Sequence, residues 1–251
     1  MKHRSLMRLA VVLPAVMLAL VGLLRVADIG AGESPAAALR TATLEPARDN
    51  TLYQSEAGNI SNGAGQHLFA GVTQRGEIRR AVLAFDLSAI PPGATVISAT
   101  LTMNMSKSIA GELPVSLHAL QQDWGEGDSD AVGDEGAGAA AAPGDATWLY
   151  TFFNTTNWTA PGGDYTAPPS ATTLVGGTGT YSWSSPGLLE DVRRWVADTS
   201  GNFGWIVIAA EATDPTAKRF DSRENEPGNR PVLTVSYEAD AFVIFAPVTI
   251  R

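Results

Sequence analysis

Residues 79–105 read RRAVLAFDLSAIPPGATVISATLTMNM, two runs that alternate with period two around a Pro-Pro-Gly connector. Ala81, Leu83 and Phe85 share one side of the first run, and Ile97, Ala99, Leu101, Met103 and Met105 share one side of the second. The opposite sides carry Arg80, Val82, Ala84 and Asp86, then Ser98, Thr100, Thr102 and Asn104. Such alternation predicts a half-buried antiparallel pair, one face on a core and one in water. Pro91 and Pro92 fix φ, and Gly93 permits the positive φ that a tight connector needs.

The same pattern recurs on both sides of this stretch. Strands are predicted in 41–53 (broken at Pro46), 66–72, 113–120, 147–154, 172–175, 180–184, 219–224 and 231–237. Residues 204–210 (GWIVIAA) are apolar throughout, which predicts a central strand covered on both faces. Residues 186–199 are the helix candidate: Ser185 suits the N-cap, Pro186 the first turn, and Leu188, Leu189, Val192, Trp195 and Val196 share a face. Glu190, Asp191, Arg193 and Arg194 are expected to face out. About ten short strands and one helix predict an all-β fold, a jelly-roll-like antiparallel β-sandwich.

At 251 residues the chain can bury one full core. A net charge of −9 argues against nucleic acid, whose phosphates need clustered Lys and Arg. The absence of cysteine excludes disulfides and thiolate sites. Lys2, Arg4 and Arg8 followed by the apolar run Leu9–Leu24 read as an export signal over residues 1–27, since 16 residues fall short of the roughly 20 that span a bilayer. The chain is therefore expected to be secreted or at the cell surface, touching a membrane only where that segment stays uncleaved. Cleavage would take the net charge to −13, because residues 1–27 hold four cations and no acid. Residues 28–40 read as a linker, 41–238 as the folded domain, and 239–251 as an apolar tail that could add an edge strand.

The longest irregular stretch, 123–145, carries seven acids and no base. Asp128 and Asp130 begin as a calcium loop does, but Val132 and the glycine spacing break the pattern, so a solvated loop is favoured over a calcium site. No other cofactor is implied. His67 and His118 lie outside any ligand spacing and are expected at the surface or in a loop. Nucleophile elbows, phosphate loops and dinucleotide fingerprints are absent from the sequence, and the domain is read as non-enzymatic.

Five features in order carry a resemblance: RAVLAFDLS (80–88) with IPPGA (90–94); Ala99-Thr-Leu101; Ala146-Thr-Trp148 with Trp158 and PGGD (161–164); the helix ending in Trp195 with NFGW (202–205); and FDSRE (220–224) with RPVL (230–233). Together, over residues 45–238, they resemble the DNRLRE-domain family, grouped with carbohydrate-binding module family 96. The resemblance implies a secreted β-sandwich that binds polysaccharide without catalysis. A basic residue often precedes the Phe-Asp pair in that family, and here the position is Ala84.

Sugar recognition needs an exposed aromatic face with polar donors nearby. Trp158 and Tyr165, in a Gly/Pro turn region, are the candidates for that face, and Arg80, Lys218, Arg223 and Arg230 for the donors, with Arg75 a further cation. Trp148, Trp183, Trp195 and Trp205 are expected in the core. Phe220 is expected inside, with Ser222 and Glu224 on the same face in structural roles and Arg79 as a partner for Glu224. The alternatives to a sugar-binding module are a structural or adhesive surface protein and a polysaccharide-active enzyme.

Overall fold

The computed structural model describes residues 37–211 and 215–239. Residues 1–27, read above as an export signal, and the apolar tail from 240 onward lie outside them. In chain order the elements are β1 (Ala38–Leu44), β2 (Pro46–Tyr53), β3 (Ile60–Ser61), β4 (His67–Val72), β5 (Ile78–Phe85), β6 (Thr95–Ser108), β7 (Leu113–Ala119), β8 (Ala139–Ala140), β9 (Tyr150–Phe152), β10 (Thr156–Asn157), β11 (Ala171–Val175), β12 (Gly179–Trp183), α1 (Pro186–Ala197), β13 (Trp205–Ala209), β14 (Lys218–Asp221) and β15 (Val232–Ala239).

Eleven of the strands form one curled antiparallel sheet whose two halves face each other as a sandwich. One half runs β1-β15-β6-β14-β4, with β12 also on β6; the other runs β5-β13-β7-β11, with β2 also on β5. β4 joins the halves, pairing with β14 through His67–Ala70 and with β5 through Gly71 and Val72. Gly71 makes the corner with φ of +107°, and a Cβ there would lie 2.8 Å from the Thr216 carbonyl oxygen.

The pair expected over 79–105 is not a pair. β5 and β6 each alternate as expected, yet β5 bonds to β2, β4 and β13 while β6 bonds to β12, β14 and β15. The Pro-Pro-Gly connector carries the chain from one half of the sandwich to the other. Ala81, Leu83 and Phe85 therefore meet Ala99, Leu101, Met103 and Met105 across one shared core.

Ile97 departs from the expected parity. The register against β15 skips it, Ser98 facing Ser236 and Val96 facing Tyr237, so Ile97 is a bulge residue that points outward and Val96 points in. A second bulge, at Ser106, shifts β6 against β14, with Phe220 opposite Met105 but Arg219 opposite Lys107.

The helix starts as read and ends at Ala197, two residues before the expected Thr199. Ser185 Oγ accepts from the Leu188 N–H at 3.0 Å, and Leu188, Val192, Trp195 and Val196 enter the core beside β6. Asp191 does not face out; it is buried, accepting from Trp205 Nε1 at 2.9 Å and from Ser170 Oγ. β13 is central as expected, with Trp205 and Val207 in the main core and Ile206 in a second cluster on its other face.

Candidate functional site

That second cluster corrects the reading of β5 as half in water. Val82 and Ala84, on its outer face, are buried with Leu52, Ile206, Trp124, Trp148 and Trp158 beneath the excursion from Leu120 to Tyr165. Ala84 is closed over by Gly204, where a Cβ would come within 2.8 Å of the Ala84 Cβ. The position where a cation was sought is interior, so its outer face is closed to ligands.

The acidic stretch 123–145 belongs to this cover and is not a solvated loop. Trp124 is fully buried, its indole N–H donating to the Phe203 carbonyl at 2.8 Å and its ring stacked under the Arg48 guanidinium. Three of the seven acids turn inward. Glu126 accepts from the Asp49 N–H at 2.8 Å, Glu135 from the His67 N–H at 2.9 Å, and Asp145 from the Ala142 N–H at 2.6 Å. An irregular segment has no strand ladder to pair its buried N–H groups, and carboxylates serve as the acceptors.

The expected ligand residues are scattered and mostly occupied. Trp158 presents no face to solvent: it is 5% exposed, and its indole N–H donates to the Thr147 carbonyl at 2.9 Å. Tyr165 is half-buried against His118. Arg80 lies over Trp148 and Tyr165, pairs with both oxygens of Glu211 at 2.9 and 2.8 Å, and donates to the Gly162 carbonyl. Arg230 pairs with Glu45 at 2.8 Å. Lys218 is fully buried, its ammonium donating to Ser108 Oγ at 3.0 Å and the Gly111 carbonyl at 2.9 Å. Burial without a carboxylate partner holds its pKa below the usual lysine range. His67 is not at the surface but lies between Glu135 and Asp221, 3.3 and 3.6 Å away.

Arg223 stands among acids. Its guanidinium is 2.9 Å from Glu126 and 3.2 Å from Glu224, while its backbone N–H donates to the buried Asp49 at 2.8 Å. Glu224 is thus held by its sequence neighbour Arg223, not by Arg79, which pairs with Glu77 and lies over Tyr53. Oxygens of Asp49, Glu126 and Glu224 all come within 4.8 Å of one another. Burial first, then Glu224, pushes the Asp49 carboxyl well above its ordinary range, and burial does the same more mildly to Glu126 and Glu224. These oxygens have the chemistry for a hard cation, but Arg223 already supplies a positive charge among them.

A cleft of about 350 Å³ opens where the 73–77 turn, the end of β6, the 134–137 turn and the start of β14 meet. Five cationic residues (Arg75, Arg79, Lys107, Lys218 and Arg219) and two acidic ones (Glu77 and Asp134) line it; with the Lys218 ammonium buried against Ser108 and Gly111, four cations stand against two acids, an excess of two positive charges. Phe69, Ile109, Ala137 and Ala217 give it apolar wall. Lys107 and Arg219, which sequence reasoning did not single out, come together only because β14 lies beside β6. The signal that could have found them is weak: two cations in strand ends more than 100 residues apart.

Neither a protein-family model nor a curated protein sequence matches this chain.

Proposed function

We propose that this chain is an exported, non-catalytic carbohydrate-binding β-sandwich of the DNRLRE type, and that it takes an anionic polysaccharide in the cleft between β6, β14 and the 134–137 turn. The observation that carries this is the charge of the cleft: an excess of two positive charges on a chain whose net charge is −9. A local field opposite to that of the whole molecule concentrates an anionic ligand at one place. The apolar wall suits the hydrophobic face of a sugar ring, and the volume falls in the range of about 300–1,000 Å³ typical of ligand clefts.

Arg75 is exposed at the mouth, and among the described residues it has no ion-pair partner. Affinity electrophoresis through polygalacturonate, alginate and neutral xylan tests the reading. Retardation by the acidic polymers that falls with added salt and with Arg75→Glu is expected. Migration unchanged on every polymer would overturn it. The second reading, a structural or adhesive surface module without sugar binding, draws on one observation: all six tryptophans are buried, leaving no indole face for a pyranose.

A further inference from the structure

Lys107 and Arg219 are directly opposite residues on adjacent antiparallel strands. Like charges so placed repel, and a sheet ordinarily avoids the arrangement. It arises here from the bulge at Ser106. In strict alternation from Met103 and Met105, Lys107 would point into the core and Ser108 outward. The extra residue reverses this. Ser108 instead meets the buried Lys218 ammonium at 3.0 Å, and Lys107 stands beside Arg219 at the cleft mouth. Ser106 Oγ then accepts from Arg219 Nε at 3.1 Å and steadies the guanidinium.

One anion sits between the two cations. Asp134 Oδ2 lies 2.9 Å from Lys107 Nζ, and Asp134 Oδ1 lies 3.3 Å from Arg219 Nη1. Its side chain is 74% exposed, whereas its neighbour Glu135 is buried and anchored. Glu135 accepts from Asn62 Nδ2 at 3.0 Å, its carbonyl accepts from the Tyr53 hydroxyl at 3.0 Å, and its φ is +60°. A non-glycine residue held at positive φ by such partners delivers Asp134 to the cleft at a fixed place. Lys107 holds the Asp134 carboxyl below its ordinary pKa, so it is ionised at neutral pH.

We propose that Lys107 and Arg219 form an oxyanion subsite for a carboxylate or sulfate substituent of an anionic polysaccharide, and that Asp134 fills it as an intramolecular stand-in which the ligand displaces. The proposal rests on the polysaccharide reading above and adds to it a built-in competitor. The displaced carboxylate returns to water at little cost, being exposed on three-quarters of its surface, and the incoming oxyanion takes over both cations. Affinity is thereby set below what the fork alone would give.

The full chain and its Asp134→Asn, Asp130→Asn and Asp134→Asn/Lys107→Ala variants separate the outcomes. Asp130 lies in the same loop, is exposed and carries the same charge, so Asp130→Asn controls for net charge. Affinity for polygalacturonate and for dextran sulfate distinguishes carboxylate from sulfate. Sodium sulfate, read as a shift in melting temperature against sodium chloride at equal ionic strength, probes the fork without any sugar. Asp134→Asn is expected to tighten polymer binding by about three- to tenfold, the scale of one or two exposed ion pairs. It should also gain more from sulfate than wild type does; Asp130→Asn should do neither, and Lys107→Ala should cancel the gain. Polymer binding that ignores Asp134→Asn, with equal sulfate shifts in all variants, would overturn the fork and leave the polysaccharide reading standing. A sulfate gain confined to Asp134→Asn, with no polymer bound by any variant, would uphold the fork and overturn the polysaccharide reading.

Discussion

Trp158 separates a ligand platform from a buried strut, and its replacement by alanine tells them apart. The ring is 5% exposed within the cluster that seals the cover onto β5 and β13, and its N–H is bonded to Thr147. Truncating a buried tryptophan to alanine costs about 3–5 kcal/mol. The Thr147 carbonyl also loses its partner, a further ~1 kcal/mol. Trp158→Phe keeps most of the apolar contact and loses the hydrogen bond, so its cost should be about 1–2 kcal/mol. Domains of this kind have total stabilities of about 5–15 kcal/mol, so Trp158→Ala removes a large share. The second cluster lies outside the main core, and the loss should fall first on the cover. Hydrogen exchange is expected to quicken at amides within 120–165 more than at β6 or β15, and the urea midpoint should drop in the order wild type, Phe, Ala. The reasoning is refuted if Trp158→Ala leaves both the midpoint and the exchange pattern unchanged while abolishing retention on a polysaccharide, for then the ring would be reaching ligand and not core.

Three further outcomes follow from the same structure. Asp49, Glu126 and Glu224 have folded-state pKa values raised above the ordinary 3.8 and 4.5, so the stability they contribute is full below those values and is lost as pH rises through the raised ones. Wild type should therefore lose stability as pH rises above the ordinary carboxylate range in urea titrations, and Asp49→Asn should flatten that slope; a slope identical in the two proteins counts against the acid cluster as its source. Asp191→Ala removes the acceptor of the buried Trp205 N–H and the 2.7 Å pair with Arg194, a loss of about 2–4 kcal/mol that a thermal melt would register. Gly71→Ala puts a Cβ 2.8 Å from the Thr216 carbonyl at positive φ and should cost about 1–3 kcal/mol, whereas Gly93→Ala, at positive φ but with open space, should cost less.

Much of the strand inventory was readable because period-two alternation is a local property. The run at 99–105 needed only its own residues to show which side was apolar, and 204–210 needed only its continuous hydrophobicity to be central. The same pattern could not say that β5 and β6 lie in opposite halves of the sandwich, since two strands facing across a core share an apolar face just as two paired strands do. Nor could parity survive the bulges at Ile97 and Ser106, which leave no mark in composition. Trp158 and Arg80 were misjudged as accessible for a related reason: a Gly/Pro-rich segment looks like surface until it is known to fold back as a cover. The calcium-like acids of 123–145 likewise show their use only where the backbone they serve comes near.

The sequence by itself determined that residues 79–105 hold two strands, that the fold is an all-β sandwich, and that one helix starts from Ser185. Those outcomes follow from side-chain periodicity and backbone preference within a few residues. Tertiary structure alone decided that Lys107 stands opposite Arg219 with Asp134 between them, because that fork depends on a bulge, a non-local strand pairing and a loop anchored by Glu135. Coulombic encounters among residues so far apart in the chain are fixed by the closed geometry of the core, which no local pattern encodes.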